Sequence, residues 1–374
     1  MAFFNSQGLT QGGFSKSAGY TTPGGFWKTP PPIPSGTAQW AARIGGTSAD
    51  AGYGITSDSS GNMYFLGYYL SNPLTIYNSN GTTFGTLANS GSNDVFIVKY
   101  NTSGTAQWAT RLGGTGNDTC YGITSDSSGN IYVTGTYASN PLTIYNSNGT
   151  TFGTLANGGS NDAFFVKYNT SGTAQWAARL SGTNTDVGYF ITSDSSGNIY
   201  ATGYYLSNPL IIYNSDGTTF GTLANAGNYD VLIVKYNTSG TAQWATRLGG
   251  TVGDIGYGIT SDSSGNIYVT GYYASNPLTI YNSDGTTFGT LSNASLNDVF
   301  IVKYNTSGTA QWATRLGGTG SEIGYGITSD SWGNIYVTGT YTSNPLTIYN
   351  SNGTTFGTLA NGGGGEVFII KFKA

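Results

Sequence analysis

A segment of eleven residues recurs five times in this chain of 374 residues and constrains the fold more than any other feature. Its best-preserved part is Gly-Thr-Ala-Gln-Trp-Ala, and the tryptophans of the five copies are Trp40, Trp108, Trp176, Trp244 and Trp312. Successive tryptophans are 68 residues apart, without insertion or deletion. Because a fixed period means that one supersecondary unit is stacked on copies of itself, the sequence predicts a repeat architecture.

Each repeat contains four short segments with the apolar pattern of strands, and helical periodicity is missing throughout. Turns rich in Asp, Asn, Ser and Gly separate these segments, and the longer connection 140–152 holds the pair Asn148-Gly149, which favours a two-residue hairpin turn. Four strands per repeat predict an all-β fold of propeller blades. In the second copy the predicted strands are 121–125, 131–135, 163–168 and 174–180.

The two ends of the repeat region carry complementary half blades. The region begins with a strand of the fourth type, 36–44, and ends with a strand of the third type, 366–372. If the first completes the blade of the last, the ring closes and leaves no open sheet edge. We therefore predict, for residues 36–374, a five-bladed β-propeller of four-stranded blades with an inserted hairpin per blade, closed by pairing of the N- and C-terminal strands.

Residues 1–35 precede the repeats and are rich in Gly, Ser and Phe. Three consecutive prolines fix φ and remove backbone donors, which is typical of an extended polyproline segment; a disordered leader is the alternative. We predict that these residues form an arm that docks the protein in a larger assembly. The candidate contact residues of the arm are Phe3, Phe4, Phe14, Trp27, Pro30, Pro31 and Pro32.

The repeat resembles the SBBP-type β-propeller repeat family. The residues that carry the resemblance are Asp-Ser-Ser-Gly-Asn-Ile-Tyr-Val-Thr-Gly at 126–135, Asn-Asp-Val-Phe-Ile-Val-Lys-Tyr at 93–100, and the Gly-Thr-Ala-Gln-Trp-Ala segment. The resemblance covers all five copies and implies a β-propeller. It also implies a surface or secreted bacterial protein or a product of a large DNA virus, mostly without an assigned activity. The family is usually associated with seven blades, whereas this chain has five copies of a longer repeat.

Composition excludes several classes of function. Charged residues make up 8% of the chain, the net charge is −4, and no basic stripe is present, so a nucleic-acid partner is not expected. No apolar run is long enough to span a bilayer, and the N-terminus lacks the features of a secretory signal. Cys120 is the only cysteine, so an internal disulfide is excluded. Together with the resemblance, this predicts a location in a virion or on a cell surface.

An enzyme is not expected, because the ionisable residues follow the repeat. Arg and Lys each recur at one position per copy and acids at three, and the chain contains no histidine. A catalytic acid, base and nucleophile need different environments, which a regular repetition does not provide. We predict no catalytic residue and no cofactor, and we assign the acids of the Asp-Ser-Ser-Gly-Asn turns, Asp58, Asp126, Asp194, Asp262 and Asp330, a structural role.

The arginine near the end of each fourth strand is predicted to bridge two acids, one before the first strand and one before the third. Those acids are expected at the same end of the blade. A ring of such acids that binds a hard cation such as calcium is the alternative.

The copies differ most in two connections, the link from the fourth strand to the first and the segment before the third strand. In an up-and-down blade both lie on one face, which we predict to be the recognition surface. Packing of the inserted hairpin against its own blade is the alternative role for its tyrosines, which are also candidates for recognition. These tyrosines are Tyr77, Tyr145, Tyr213, Tyr281 and Tyr349.

Two hypotheses for the function follow. The first is a non-enzymatic structural or interaction protein, a rigid propeller that docks through its N-terminal arm in a virion or surface layer and binds protein partners. The second is a lectin with one weak glycan site per blade, in which repetition of the sites supplies the avidity.

Overall fold

The computed structural model describes residues 36–373, which form thirty β-strands and no helix. Residues Trp40–Ala374 form one compact unit, and residues 1–39 are assigned to another. The predicted arm, with its candidate residues Phe3 to Pro32, lies outside the described residues. None of the described residues belongs to a helix long and apolar enough to cross a membrane.

Each repeat contributes the four predicted strands. The first strands are β2 (Asp50–Ser57), β8 (Asp118–Ser125), β14 (Asp186–Ser193), β20 (Asp254–Ser261) and β26 (Glu322–Ser329). The second strands are β3 (Met63–Tyr69), β9 (Ile131–Tyr137), β15 (Ile199–Tyr205), β21 (Ile267–Tyr273) and β27 (Asn334–Tyr341). The third strands are β6 (Asp94–Tyr100), β12 (Asp162–Tyr168), β18 (Asp230–Tyr236), β24 (Asp298–Tyr304) and β30 (Glu366–Lys373). The fourth strands are β1 (Ile44–Gly45), β7 (Ala106–Gly113), β13 (Ala174–Ser181), β19 (Ala242–Gly249) and β25 (Ala310–Gly317).

The predicted hairpin is present in every repeat, between the second and third strands. Its two arms are β4 (Leu74–Tyr77) and β5 (Thr83–Leu87), β10 (Leu142–Tyr145) and β11 (Thr151–Leu155), β16 (Leu210–Tyr213) and β17 (Thr219–Leu223), β22 (Leu278–Tyr281) and β23 (Thr287–Leu291), and β28 (Leu346–Tyr349) and β29 (Thr355–Leu359). The Asn-Gly or Asp-Gly turn places its glycine at positive φ, 82° at Gly149.

The hairpin does not join the sheet of its own repeat. Strand β10 pairs with β7, the fourth strand of the preceding repeat, with Ile144 opposite Leu112. A complete sheet therefore has six antiparallel strands, in the order β2-β3-β6-β7-β10-β11 for the first. Because the outer two strands come from the next repeat, consecutive blades are joined through a shared sheet as well as by packing.

The closed ring that the sequence predicts is not formed by the described residues. They form four complete blades, a three-stranded first sheet β1-β4-β5 and a three-stranded last sheet β26-β27-β30. Strand β1 pairs with β4 and β30 pairs with β27, and no pairing joins β1 to β30. First strands pack against one another from repeat to repeat, but β2 and β26 do not pack in this way. Closure would require β1 to pair with β30, and this pairing is not formed within residues 36–373.

The apolar core lies between successive blades. Trp108 contacts Tyr64 of its own sheet and Tyr168 of the next, and its indole nitrogen donates to the carbonyl of Thr170, 3.0 Å away. A glycine in the second strand permits close approach of the first strand, since a Cβ added at Gly67 would lie 1.9 Å from the carbonyl oxygen of Ala51. These contacts recur with the period of the repeat, which explains why tryptophan and glycine mark it.

Candidate recognition surfaces

A tyrosine stands at a β-bulge in every first strand. In the first repeat the pairing of β2 with β3 shifts register between Gly52 and Gly54, so that Tyr53 has no partner on β3. A bulge redirects the side chain of the extra residue away from the regular ladder. The bulge tyrosines are Tyr53, Tyr121, Tyr189, Tyr257 and Tyr325.

Because first strands of successive repeats are neighbours, the bulge tyrosines form a continuous row. Their ring centroids are separated by 5.6, 5.1, 5.3 and 5.5 Å in chain order. Four further tyrosines contact this row or each other, Tyr68, Tyr204, Tyr229 and Tyr272. We refer to these nine residues as the tyrosine network. Its two terminal members, Tyr53 and Tyr325, are 52% and 48% exposed.

Two phenols inside the row, those of Tyr121 and Tyr257, remain protonated at neutral pH. Burial raises the pKa of Tyr121 and of Tyr257 to about 12, with a contribution from neighbouring tyrosines. The network is therefore an uncharged surface of aromatic faces and hydroxyl groups. Surfaces of this composition bind protein segments and sugars, because tyrosine combines a large apolar ring with a polar group at its tip.

The tyrosines predicted for recognition lie elsewhere, on the outer rim. Each hairpin tyrosine stacks under the guanidinium of the arginine from the preceding fourth strand, as Tyr145 does under Arg111 at 4.0 Å. The hairpin thus packs against the preceding blade, which corrects the alternative that it packs against its own. The other four pairs are Arg43 with Tyr77, Arg179 with Tyr213, Arg247 with Tyr281 and Arg315 with Tyr349.

Four equivalent grooves open next to these pairs, which we call the rim grooves. One of them lies between β17, β19 and the hairpin tip 281–285, and an exposed phenylalanine, Phe220, forms one edge. The four grooves have volumes of about 370 to 1030 Å³. Arginine, tyrosine, phenylalanine and Asn or Asp recur in each, so every groove offers the same polar and aromatic groups.

The predicted bridge between arginine and two acids is half formed. Arg111 donates to Asp94, before the third strand, at 2.8 Å, and equivalent ion pairs join Arg247 to Asp230 and Arg315 to Asp298. The acid before the first strand has a different partner: Asp118 accepts hydrogen bonds from the backbone and hydroxyl of Ser139. In these three copies the arginine therefore neutralises one acid of the pair, whereas Arg179 donates to the carbonyl of Ala156 instead.

Burial is the largest influence on the pKa of these acids. It raises the pKa of Asp94 to about 6 in spite of Arg111, and that of Asp254 to about 7. One carboxylate oxygen of the third-strand acid accepts no hydrogen bond in Asp94, Asp162, Asp230 and Asp298. No group of three or more Cys, Asp or Glu side chains suited to a metal ion occurs among residues 36–373.

The turn acids have the structural role that was predicted for them. Asp262 accepts hydrogen bonds from the backbone of Ser264 and Asn266, the amide of Asn266 and the hydroxyl of Tyr268, all at 2.8 to 2.9 Å. Burial raises the pKa of Asp262, but these hydrogen bonds outweigh burial and the pKa lies below its usual value. The carboxylate is fully used in holding its own turn.

Two features were not predicted from the sequence. They are the bulge in each first strand and the exposed apolar residues of the varied connections. Gly52-Tyr53-Gly54 and its equivalents were a visible signal, because a tyrosine between small residues at a 68-residue period marks a bulge. On the varied connections, Val252 and Leu296 are exposed and Tyr229 joins the tyrosine network. The varied face and the network therefore meet at Tyr229.

Comparison with known proteins agrees with this architecture. The family described as beta-propeller repeat (SBBP) matches four segments, 107–141, 175–210, 243–277 and 311–347. Each segment runs from the fourth strand of one repeat into the region after the second strand of the next. The chain thus carries the SBBP β-propeller repeat, and the resemblance seen in its sequence is confirmed. The equivalent segment 39–73 lies outside the matched residues.

A longer protein is similar to this chain over most of its length. An uncharacterized WD repeat-containing protein of Acanthamoeba polyphaga mimivirus is 32% identical over 386 residues, which cover 91% of this chain. The chain spans 27% of the length of that relative. This similarity and the repeat match together define the class of protein as a β-propeller repeat protein.

Solved structures match the chain only distantly. A protein of unknown function from Bacteroides caccae is 8% identical, with 80% of this chain and 93% of that one covered and a TM-score of 0.32. A second, from Dyadobacter fermentans, is also 8% identical, covers 85% of each chain and has a TM-score of 0.36. At these scores neither structure adds to what the repeat match says.

Proposed function

We propose that this chain is a non-enzymatic interaction protein, a rigid repeat body that binds protein partners and docks through residues 1–35 in a larger assembly such as a virion or surface layer. The tyrosine network carries this proposal. Nine tyrosines in continuous ring contact are more than packing requires, since the same repeats already fill the interfaces between blades with other aromatic residues.

The charged residues support a role without catalysis. Among the described residues, the turn acids hold their own turns and the arginines stack on rim tyrosines. Burial raises the pKa of the Tyr121 and Tyr257 hydroxyls in the network, which makes these two groups weak acids and poor nucleophiles at neutral pH. The repetition of each charged position also agrees with structural use.

The relative in a mimivirus supports the assembly part of the proposal. That protein is named only for its WD repeats, and this chain is similar to about a quarter of it. A virion location for this chain is consistent with such a relative and with the non-catalytic composition. A cell-surface layer fits the same composition.

The assembly part is tested by electron microscopy of particles purified from the source, with and without residues 1–35 in the expressed chain. We expect the full chain to be incorporated and the shortened chain to stay behind, folded and with unchanged Tm. Equal incorporation of both chains contradicts docking through the arm.

The tyrosine network is tested by replacing Tyr189 and Tyr257 with alanine and comparing partner occupancy in the same particles. We expect loss of the partner density over the first strands, because each ring contributes contact area at the centre of the surface. The matched control is Tyr213→Ala at the rim, which keeps the network intact. If both variants bind the partner equally well, the network is not the binding surface.

The rim grooves favour a second candidate function, a multivalent lectin. Their volume suits a small saccharide, and a stacked Arg–Tyr pair beside an exposed phenylalanine provides hydrogen-bond donors next to an aromatic face. A glycan array tests this candidate. Phe220→Ala with Phe288→Ala should weaken binding more than additively if avidity operates, whereas no signal for the full chain on the array rejects the lectin.

A further inference from the structure

The first and last sheets expose faces that are buried in the rest of the array. Ile369 on β30 is 76% exposed, whereas the equivalent Ile301 is fully buried against the following repeat. On the opposite end, Ile55 of β2 is 57% exposed, and the equivalent Ile259 is 1% exposed. In each internal interface the face that carries the equivalent of Ile369 packs against the face that carries the equivalent of Ile55. The two exposed faces are therefore the two halves of one interface that the array forms repeatedly.

An aromatic contact that recurs in the complete blades is missing at the two ends, where each end carries one of its two residues. In the complete blades the tryptophan of the fourth strand contacts a tyrosine of the second strand, as in Tyr268 and Trp312 at 6.0 Å. The last sheet has the tyrosine, Tyr336, and lacks a fourth strand. The tryptophan, Trp40, precedes β1 of the first sheet, which lacks a second strand of its own blade.

The charged residues follow the same division. Arg43 and Glu366 occupy the positions of an internal ion pair such as Arg111 with Asp94, yet neither takes part in an ion pair within residues 36–373. In an internal interface the carbonyl of Thr170 accepts from both Trp108 and Lys99.

At the first end of the array the carbonyl of Thr102 accepts from Trp40. Lys371, which occupies the position of Lys99 at the other end, has no hydrogen bond to such a carbonyl within the described part of the chain. Apolar, aromatic and charged groups thus point to the same missing contact.

We infer that the two end faces bind each other between two copies of the chain. Segment 40–45 of one copy supplies the fourth strand beside β30 of the other, in the register of the complete blades, which places Ala42 opposite Ile369 and Trp40 opposite Lys371. A second copy is the occupant because the ends of one chain lie apart, with β2 and β26 unpacked. The two faces differ, so the contact is heterologous and gives a ring or a filament, according to the rotation between copies. This inference does not depend on the proposed function.

Cysteine crosslinking identifies whether the strand beside β30 comes from the same chain or from a second copy. Ala42→Cys combined with Ile369→Cys places two thiols across an antiparallel pair, at a separation that a disulfide spans. Cys120 is fully buried and stays reduced. We expect a disulfide between chains, seen as dimer and larger species on a non-reducing gel. A disulfide within one chain, or none, overturns the inference. Ala42→Cys alone is the control.

A mixing experiment tests the heterologous geometry. Ile369→Asp blocks one end face and Ile55→Asp blocks the other, and both side chains are exposed, so the fold is retained. In sedimentation experiments we expect each variant alone to be monomeric and their equimolar mixture to form a dimer, because one intact face remains on each. Phe220→Asp, at a residue of an internal rim groove that is 41% exposed, should associate like the unmodified chain. A monomeric unmodified chain at 100 μM, or a mixture without dimer, contradicts the inference.

Discussion

The two ends of each blade hold their carboxylates in opposite ways. At the end formed by the tight turns, Asp262 is satisfied within its own turn and its pKa lies below the usual value. At the end formed by the varied connections, Asp254 is buried between segments of two repeats and its pKa is raised to about 7. Turns that satisfy themselves are independent of their neighbours and barely change between copies, whereas the other end depends on burial and varies.

Removal of a buried counter-charge should have the largest effect. Arg247→Gln leaves Asp230, which is fully buried, without its ion pair. We expect a loss of about 3 kcal/mol in the free energy of unfolding at pH 8. The loss should be smaller at pH 5 than at pH 8, because burial raises the pKa of Asp230 and a protonated acid needs no counter-charge. Urea unfolding at both pH values measures it. The control is Arg43→Gln in dilute protein, which disturbs no ion pair in the described residues; equal losses for both contradict the prediction.

Loss of a turn carboxylate should be the next largest effect. Asp262→Ala removes the acceptor of four hydrogen bonds and leaves the hydroxyl of Tyr268 and the amide of Asn266 without it. We expect a destabilisation of about 2 kcal/mol, measured by urea unfolding. Unlike that of Arg247→Gln, this loss should be the same at pH 5 and pH 8. A pH-dependent loss would show that the two ends do not differ as described.

The buried acids make stability depend on pH. The folded-state pKa is about 7 for Asp186 and Asp254 and about 6 for Asp94 and Asp298, against 3.8 for an ordinary Asp. Between these values the folded state binds more protons than the unfolded state, so stability is highest at low pH and falls as pH rises from about 4 to 7. We expect Tm to fall by roughly 5 °C between pH 5 and pH 8. Asp254→Asn should make Tm depend less on pH. A Tm that rises between pH 5 and pH 8 contradicts the prediction.

The smallest effect is expected at the hairpin tips. Asp216 accepts hydrogen bonds from the backbone and hydroxyl of Thr218, and Asn148 accepts the same bonds from Thr150. Asp216→Asn should therefore leave Tm unchanged within error, as should Asn148→Asp. A clear shift in Tm for either would mean that the tip carboxylate has a role outside its turn.

Much of the fold could be predicted from residue patterns. The strand predicted at 131–135 is found at Ile131–Tyr137, the turn acids have their structural role, and the Asn-Gly hairpin is present. The partner of the hairpin could not be predicted, because pairing with the preceding fourth strand depends on where the next blade lies. The same holds for the tyrosine network, whose members are close only when first strands from successive repeats pack together.

The sequence by itself determined the class of fold, the length of the unit and the chemistry of its turns, because period, apolar alternation and turn residues act over a few neighbouring positions. Tertiary structure alone decided which sheet receives each hairpin, which acids titrate near neutral pH and whether the ends meet. Burial and the angles between successive sheets are sums over many contacts, so a small change repeated along the array decides whether the two ends meet. For this reason β1 and β30, which the repeat assigns to complementary halves of a blade, remain unpaired within the described residues.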